Sequence, residues 1–161
     1  MSTIKIVPYE DHHQKAFKAI NEKWISQYFK MEAADYKALD YPKEYILDKG
    51  GHIFMALLEE EPVGACAMIK MDHPKYGFEL AKMGVSPKAH GKGIGFQLAQ
   101  AIIQKSIDLG AQYIYLESNT VLGPAINLYR KLGFTDVSDE YSPYSRCNIQ
   151  MELDLSKLPT K

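Results

Sequence analysis

Residues 85–95, VSPKAHGKGIG, contain three glycines at alternating positions, Gly91, Gly93 and Gly95. The stretch follows an apolar segment typical of a strand, Phe78–Val85, and precedes an amphipathic segment that predicts a helix from Ile94 to Leu109. The first-turn amides of such a helix have no partner within the helix, and its N-terminus is electropositive. Glycine also lets a backbone approach a ligand closely. We therefore expect the loop to bind an anion, most often a phosphate.

The glycine spacing narrows the choice of ligand. A Walker loop needs Ser or Thr after Gly-Lys, but Lys92 is followed by Gly93. The dinucleotide fingerprint is Gly-x-Gly-x-x-Gly, and here the third glycine comes one residue early. A nucleotide- or dinucleotide-binding enzyme stays an alternative, but the spacing argues against it.

The hydrophobic patterns along the chain predict an α/β fold. In order they indicate one strand, two helices, three strands, a helix, a strand, a helix and two strands. The helix after the glycine loop connects two strands, as in a parallel crossover. The last strand is predicted from the alternation between Cys147 and Leu155. We expect a mixed central sheet of about seven strands with helices on both faces.

Composition excludes several classes of function. The chain has 161 residues, 46% of them hydrophobic and 24% charged, as in one ordinary globular domain. Its net charge of −1 predicts no nucleic-acid or membrane partner. The absence of a signal peptide or a bilayer-length apolar run predicts a cytoplasmic protein.

Cysteine and histidine spacing gives no sign of a metal site. Cys66 and Cys147 lie in strand-like apolar patterns and are predicted to be buried free thiols. The five histidines lack partners at ligand spacing, so no metal is expected.

A second motif follows the strand predicted at Tyr113–Leu116. Residues 125–134, AINLYRKLGF, fit the pattern Ala-x-x-Leu-Tyr-x-Lys-x-Gly-Phe. Together with the glycine loop, this motif resembles the GNAT superfamily of N-acetyltransferases, from about Ile53 to the C-terminus. The resemblance implies a GNAT-like fold, with residues 1–161 as a single acetyltransferase-like domain.

The resemblance also implies that acetyl-CoA is the cosubstrate, with its pyrophosphate on the glycine loop. His90 stands where the family usually has Arg or Gln, which weakens one side-chain contact but leaves the backbone amides. In this family a β-bulge before the loop frees amides for the thioester carbonyl and splays two parallel strands, and Gly84 is the residue type that a bulge tolerates. The implied cofactor-binding residues are Met83, Gly84, Val85, His90, Gly91, Lys92, Gly93, Ile94, Gly95, Asn119, Ala125 and Tyr129.

Acetyl transfer from a thioester needs an acid and a base. The leaving thiolate has a conjugate acid with a pKa of about 8.5, and a phenol with a pKa of about 10 can protonate it. Tyr129 is the candidate acid, the alternative being a tyrosine packed on the apolar face of its helix. The attacking amine must lose a proton, and Glu79 is the candidate base because many family members carry a Glu there. Glu79 is equally well interpreted as solvent-facing or salt-bridged, and Glu117 is the reserve base.

The acceptor side is less specific. Trp24 and Tyr28, with Glu32 and Asp35, are interpreted either as a pocket for a cationic amine or as the core and solvated face of one helix. Arg146 ends the segment Tyr141–Arg146, which borders the acceptor in this family's fold. It is either a bidentate partner for a substrate carboxylate or a surface residue.

Two functions therefore remain. The first is an acetyl-CoA-dependent N-acetyltransferase acting by direct attack on a primary amine of a small molecule or peptide. The second is a non-catalytic acyl-CoA-binding sensor on the same fold. The sequence allows a homodimer and does not fix the oligomeric state.

Overall fold

The computed structural model describes residues 3–137 and 145–158. The strands are β1 Ile4–Pro8, β2 His52–Leu58, β3 Glu61–Lys70, β4 Phe78–Val85, β5 Tyr113–Ser118, β6 Thr135–Val137 and β7 Ile149–Asp154. The helices are α1 Gln14–Tyr28, α2 Ala33–Asp40, α3 Ile94–Asp108 and α4 Gly123–Leu132, and a short π-helical turn spans Lys43–Leu47. The order predicted from the sequence is confirmed.

The seven strands form one mixed sheet with the order β1-β2-β3-β4-β5-β7-β6. Strands β1 to β4 pair antiparallel, as do β5, β7 and β6. Strands β4 and β5 are parallel, because α3 carries the chain across the sheet between them. The predicted crossover is therefore confirmed.

Helices cover both faces of the sheet, as predicted. One core cluster joins α3 and α4 to one face, through buried residues such as Leu98, Ile102 and Ile126. The other joins α1 and α2 to the opposite face, around Phe17 and Leu39. Since burial of apolar side chains is the main stabilising term in folding, these two clusters hold the helices on the two faces of the sheet.

The bulge in β4 lies earlier than predicted. The register between β3 and β4 shifts opposite Cys66, and Lys82 has a left-handed φ of +52°. The extra residue reverses the alternation of the strand. Phe78 and Leu80 pack against the α3 side before the bulge, and Met83 packs on the same side after it.

Gly84 is needed for a different reason. It faces α1, where a β-carbon would come within 2.8 Å of Trp24 Cδ1. Glycine is therefore required by the close approach of a helix, whereas the bulge is formed by a lysine.

Beyond the start of β4, the two parallel strands diverge. They pair only at Phe78 with Ile114 and at Glu79 with Tyr115. The cleft that opens after these pairs confirms the predicted splaying of the strands, and it positions the site described below.

The prediction for the two cysteines is half right. Cys66 is a buried free thiol in β3. Cys147 is only partly buried, because β7 begins two residues later, at Ile149. No helix within residues 3–137 and 145–158 has the length and apolarity that crossing a bilayer requires.

Candidate active site

A cavity of about 610 Å³ occupies the cleft between the diverging strands. Its walls come from α1, α2, the π-helical turn, β4, β5, α4 and the segment before β7. Twelve residues predicted for the site line it: Trp24, Tyr28, Glu79, Met83, Gly84, Val85, His90, Glu117, Asn119, Ala125, Tyr129 and Arg146. The structure thus brings the predicted catalytic and acceptor residues together with the end of β4.

The glycine loop adjoins this cavity through Val85 and His90. Gly91 and Gly93 have left-handed φ values of +80° and +73°, where glycine is favoured. In the described part of the chain, a β-carbon on either residue would meet no heavy atom within 4 Å. The side of the loop is therefore open to a ligand.

The start of α3 supplies the amides of this loop. The first helical hydrogen bond runs from Gln97 N–H to the Gly93 carbonyl oxygen, at 3.1 Å. The amides of Ile94 and Gly95 precede it and have no partner within the helix. Because the Ile94 side chain is buried in the core, only its backbone can contact a ligand. Lys92, between Gly91 and Gly93 in the loop, is exposed.

His90 has a local role in the loop. Its Nε2 donates to the Val85 carbonyl oxygen at 2.9 Å. The ring therefore ties the loop back to the end of β4. The predicted contact between this side chain and a pyrophosphate stays a prediction.

Two acidic side chains from the neighbouring strands β4 and β5, those of Glu79 and Glu117, line the cavity. Glu79 on β4 pairs in register with Tyr115 on β5, and Glu117 follows Tyr115 on the same face. Burial raises the pKa of the Glu79 carboxyl to about 8, and the charge of Glu117 adds to this effect, against the opposing charge of Lys82. A partly buried carboxyl with such a pKa is suited to exchanging a proton near neutral pH.

Glu117 is held by a short hydrogen-bond chain. Tyr115 Oη donates to Glu117 Oε2 at 2.9 Å, and Gln150 Nε2 donates to Tyr115 Oη at 2.8 Å. This chain fixes the position of the Glu117 side chain, whose charge is one of the causes that raise the pKa of Glu79.

Tyr129 lies on α4 and is 7% exposed. It packs edge-on against Phe134, with ring centroids 5.8 Å apart, and it also lines the cavity. Burial raises the pKa of the phenol, and the nearby Cys66 thiol acts in the same direction. The phenol is therefore neutral throughout the working pH range. It is packed in the core as the alternative interpretation held, and its role as an acid stays a prediction.

The Asn119 side chain already bonds to the protein at both ends. Its Nδ2 donates to the Arg146 carbonyl oxygen at 2.7 Å, and its Oδ1 accepts from Val121 N–H at 2.9 Å. These bonds join the turn after β5 to the segment before β7. The contact between Asn119 and the cofactor stays a prediction, and the role that the structure shows for this side chain is to join these two segments.

A buried ion cluster closes the acceptor side of the cavity. Asp35 on α2 is 0% exposed, and its Oδ1 lies 2.5 Å from Lys82 Nζ. Arg146 donates to both carboxylate oxygens at 2.7 Å, and its Nη1 lies 3.4 Å from Glu32 Oε2. Burial alone raises the pKa of Asp35, but the hydrogen bonds from Arg146 and the charge of Lys82 outweigh it and lower this pKa to about 2.

This cluster corrects two predictions on the acceptor side. Arg146 is not a surface residue, since its side chain is 14% exposed and its bidentate carboxylate partner is Asp35. Asp35 is buried between two cations and does not form a wall for a cationic amine. Of the segment predicted to border the acceptor, Tyr141–Tyr144 lies outside the described residues.

Lys82 lies in the site although it was not predicted there. The sequence nevertheless contains one indication that this lysine is unusual. In a regular strand, Lys82 shares a face with Phe78 and Leu80 and points into the α3 core. A lysine at a core position is rare unless it is paired. That conflict predicts a bulge at Lys82 together with a buried partner.

One group of potential metal ligands occurs among the described residues, Glu10, His12 and His13. The backbone N–H of Glu10 donates to His13 Nδ1 at 3.0 Å. The lone pair of Nδ1 is thereby engaged and the proton of the neutral ring lies on Nε2, so neither nitrogen is available as a ligand. The donor set does not suit a metal ion.

Comparisons with known proteins agree on one family. The model of the acetyltransferase (GNAT) family matches residues 17–134. A mycothiol acetyltransferase from Pseudarthrobacter chlorophenolicus is 41% identical over 73 residues, which are 44% of this chain and 22% of that protein. The chain spans less than half the length of the curated relatives that it matches.

Solved structures of acetyltransferases have the same fold. A GNAT-family acetyltransferase from Staphylococcus aureus Mu50 has a TM-score of 0.85 at 19% identity, covering 95% of this chain and 99% of that chain. Spermidine N-acetyltransferase from Vibrio cholerae, solved with CoA and spermine, has a TM-score of 0.74 at 18% identity and 96% coverage of both chains. At these identities the likeness shows a shared fold.

Proposed function

This chain belongs to the acetyltransferase (GNAT) family, and on that premise we propose that it is an acetyl-CoA-dependent N-acetyltransferase. The acceptor is a primary amine of a small molecule or peptide, which attacks the thioester directly in a ternary complex. The observation that carries the proposal is a single cavity that holds Glu79, Glu117 and Tyr129 beside the strand end leading into the glycine loop.

The cofactor binds across the end of the sheet. The pyrophosphate lies on the loop amides of Gly91 to Gly95 and the first turn of α3, where the helix dipole favours an anion. The pantetheine chain enters the cleft between β4 and β5, whose backbone groups are unpaired with each other beyond Glu79. An amide of Met83 to Val85 directed at the thioester carbonyl stabilises the developing oxyanion, a contribution of about 3 kcal/mol for one such donor.

Proton transfers follow from the positions of the titratable groups. Ionised Glu79 takes one proton from the ammonium of the acceptor, directly or through a water. The neutral nitrogen attacks the carbonyl carbon, and the C–S bond breaks as the tetrahedral intermediate collapses. Tyr129 gives its proton to the leaving sulfur and recovers one from the acetylated nitrogen. The products are the amide and CoA thiol.

The test has two measurements. Calorimetry measures CoA binding, and a thiol-specific dye then follows CoA release from acetyl-CoA with a panel of primary amines. We expect binding together with release that depends on the amine. Tight binding without amine-dependent release supports the non-catalytic sensor instead, and no binding of CoA overturns both.

A further inference from the structure

The outer wall of the cavity is aromatic. Tyr28 and Phe29 line it at the end of α1, and Tyr45 lines it from the π-helical turn. Trp24 also lines the cavity but is less exposed and lies against Gly84. Tyr28 and Tyr45 are 48% and 39% exposed, which is unusual for side chains of this size. Aromatic surface in a concave site typically packs against the apolar body of a ligand.

The same wall carries two lysines, Lys37 on α2 and Lys49 just after the π-helical turn. Both are exposed, and neither has an ion-pair partner within residues 3–137 and 145–158. Lys49 Nζ lies 5.3 Å from the centre of the Tyr45 ring. Three acidic residues close to these lysines in sequence already have cationic partners, namely Asp35 with Lys82 and Arg146, Asp40 with Lys18, and Asp48 with Lys43.

Charge is therefore divided along the cavity. The carboxyls of Glu79 and Glu117 belong to half-buried residues of β4 and β5, whereas the two ammonium groups belong to exposed residues of α2 and of the segment after the π-helical turn. A second ammonium on the acceptor is repelled at the outer wall, whereas an anionic group is attracted there. This arrangement disfavours polyamines.

Resting on the proposed function, we propose that the acceptor carries an anionic group on the far side of an apolar or aromatic body from its primary amine. Lys37 and Lys49 bind the anionic group, and the aromatic side chains bind the body. The acceptor class is thus an amino acid-like or peptide-like acid, with a carboxylate or an equivalent oxyanion several bonds from the reacting nitrogen.

Two amines of matched shape test this inference. 4-(2-Aminoethyl)benzoate has a carboxylate across the ring from its amine, and phenethylamine lacks it; spermidine serves as the polycation. We expect kcat/KM to be about tenfold higher for the benzoate than for phenethylamine and lowest for spermidine. In the double variant Lys37→Met and Lys49→Met, the preference for the benzoate falls to about one.

The double variant Lys15→Met and Lys23→Met is the matched control. Both are exposed lysines on α1 that do not line the cavity, so their loss makes the same change in charge and leaves the preference intact. A preference that falls equally in this control arises from net charge and overturns the inference. So does a preference that survives in the double variant, or a rate with spermidine that equals the rate with the benzoate.

Binding gives a readout that does not depend on turnover. With CoA in place of acetyl-CoA, calorimetry measures each amine in a dead-end complex, and the fluorescence of Trp24 reports where it binds, because this is the only tryptophan of the chain. Amine-dependent thiol release without preference for the benzoate overturns this inference and leaves the proposed function. Preferential binding of the benzoate without any thiol release overturns the proposed function and supports the charge preference of the cavity.

Discussion

Replacing Asp35 with Asn tests the ion cluster that closes the acceptor side. The Asp35 side chain is fully buried, and its pKa lies at about 2, compared with an ordinary value of 3.8. At about 1.4 kcal/mol for each pKa unit, the site favours the ionised form over the neutral one by about 2 to 3 kcal/mol. Asn resembles the neutral form, and it removes the buried negative charge that Lys82 and Arg146 share. Loss of one partner of a buried ion pair costs about 3 to 5 kcal/mol.

Urea denaturation at pH 7, followed by circular dichroism, measures the free energy of unfolding of the wild type and of Asp35→Asn. We expect a loss of about 3 kcal/mol or more in the variant. The control is Asp48→Asn, which removes an exposed pair with Lys43 and is expected to cost about 0.5 kcal/mol or less. A loss in Asp35→Asn no larger than in the control refutes the reasoning.

The pH dependence gives an independent check of the same cluster. Because folding lowers the pKa of Asp35, its contribution is fully present above the unfolded pKa of about 4 and is lost as the pH falls towards 2. The difference in unfolding free energy between the wild type and Asp35→Asn is therefore expected to shrink over this window. A difference that stays constant from pH 5 to pH 2.5 contradicts the assignment.

Three further variants address the reaction and the loop. Tyr129→Phe is expected to lower kcat about a hundredfold with little change in acetyl-CoA affinity, and an unchanged kcat with a good amine removes Tyr129 as the acid. With an acceptor whose ammonium titrates above about pH 10 and therefore arrives protonated, kcat/KM is expected to rise with pH through an apparent pKa near 8 as Glu79 ionises. This limb is expected to disappear in Glu79→Gln, and its survival there shows that another group is the base. Gly93→Ala places a β-carbon on a residue with a φ of +73°, and it is expected to lower the free energy of unfolding by about 1 to 2 kcal/mol and to weaken CoA binding. Gly123→Ala is the control, because Gly123 lies at a helix start without a positive φ, and it is expected to be near neutral. Equal effects of the two variants on unfolding contradict the role of the left-handed turn.

The fold followed from the sequence because its patterns are local. The alternation in β7, the helical spacing of α3 and α4, and the terminal glycine of α4 each depend on a few neighbouring residues. Gly133, for example, has a φ of +107° and ends α4, as glycine at this position commonly does. The order of these elements, with a crossover helix between β4 and β5, then leaves few ways of building one sheet.

The contacts on the acceptor side of the cavity could not be predicted from the sequence, because they join residues that are distant along the chain. Asp35 meets Lys82 and Arg146 across 47 and 111 positions, and no local pattern marks such a triplet. The bulge was predicted at Gly84 because glycine is a residue type that a bulge tolerates. In the structure the bulge lies at Lys82, and the buried ion pair with Asp35 offsets the strain of its left-handed backbone. A prediction made from the backbone preference of a single residue type does not take account of tertiary contacts that stabilise a strained conformation.

The bond between His90 and the Val85 carbonyl also bears on the thermodynamics of cofactor uptake. It joins the end of β4 to the residue that precedes Gly91, so the protein itself restrains the segment that enters the glycine loop. A restrained segment has less backbone freedom to lose when a diphosphate binds next to it, so less of the binding free energy is offset by lost chain entropy. The histidine thus contributes to the loop by restraining its backbone.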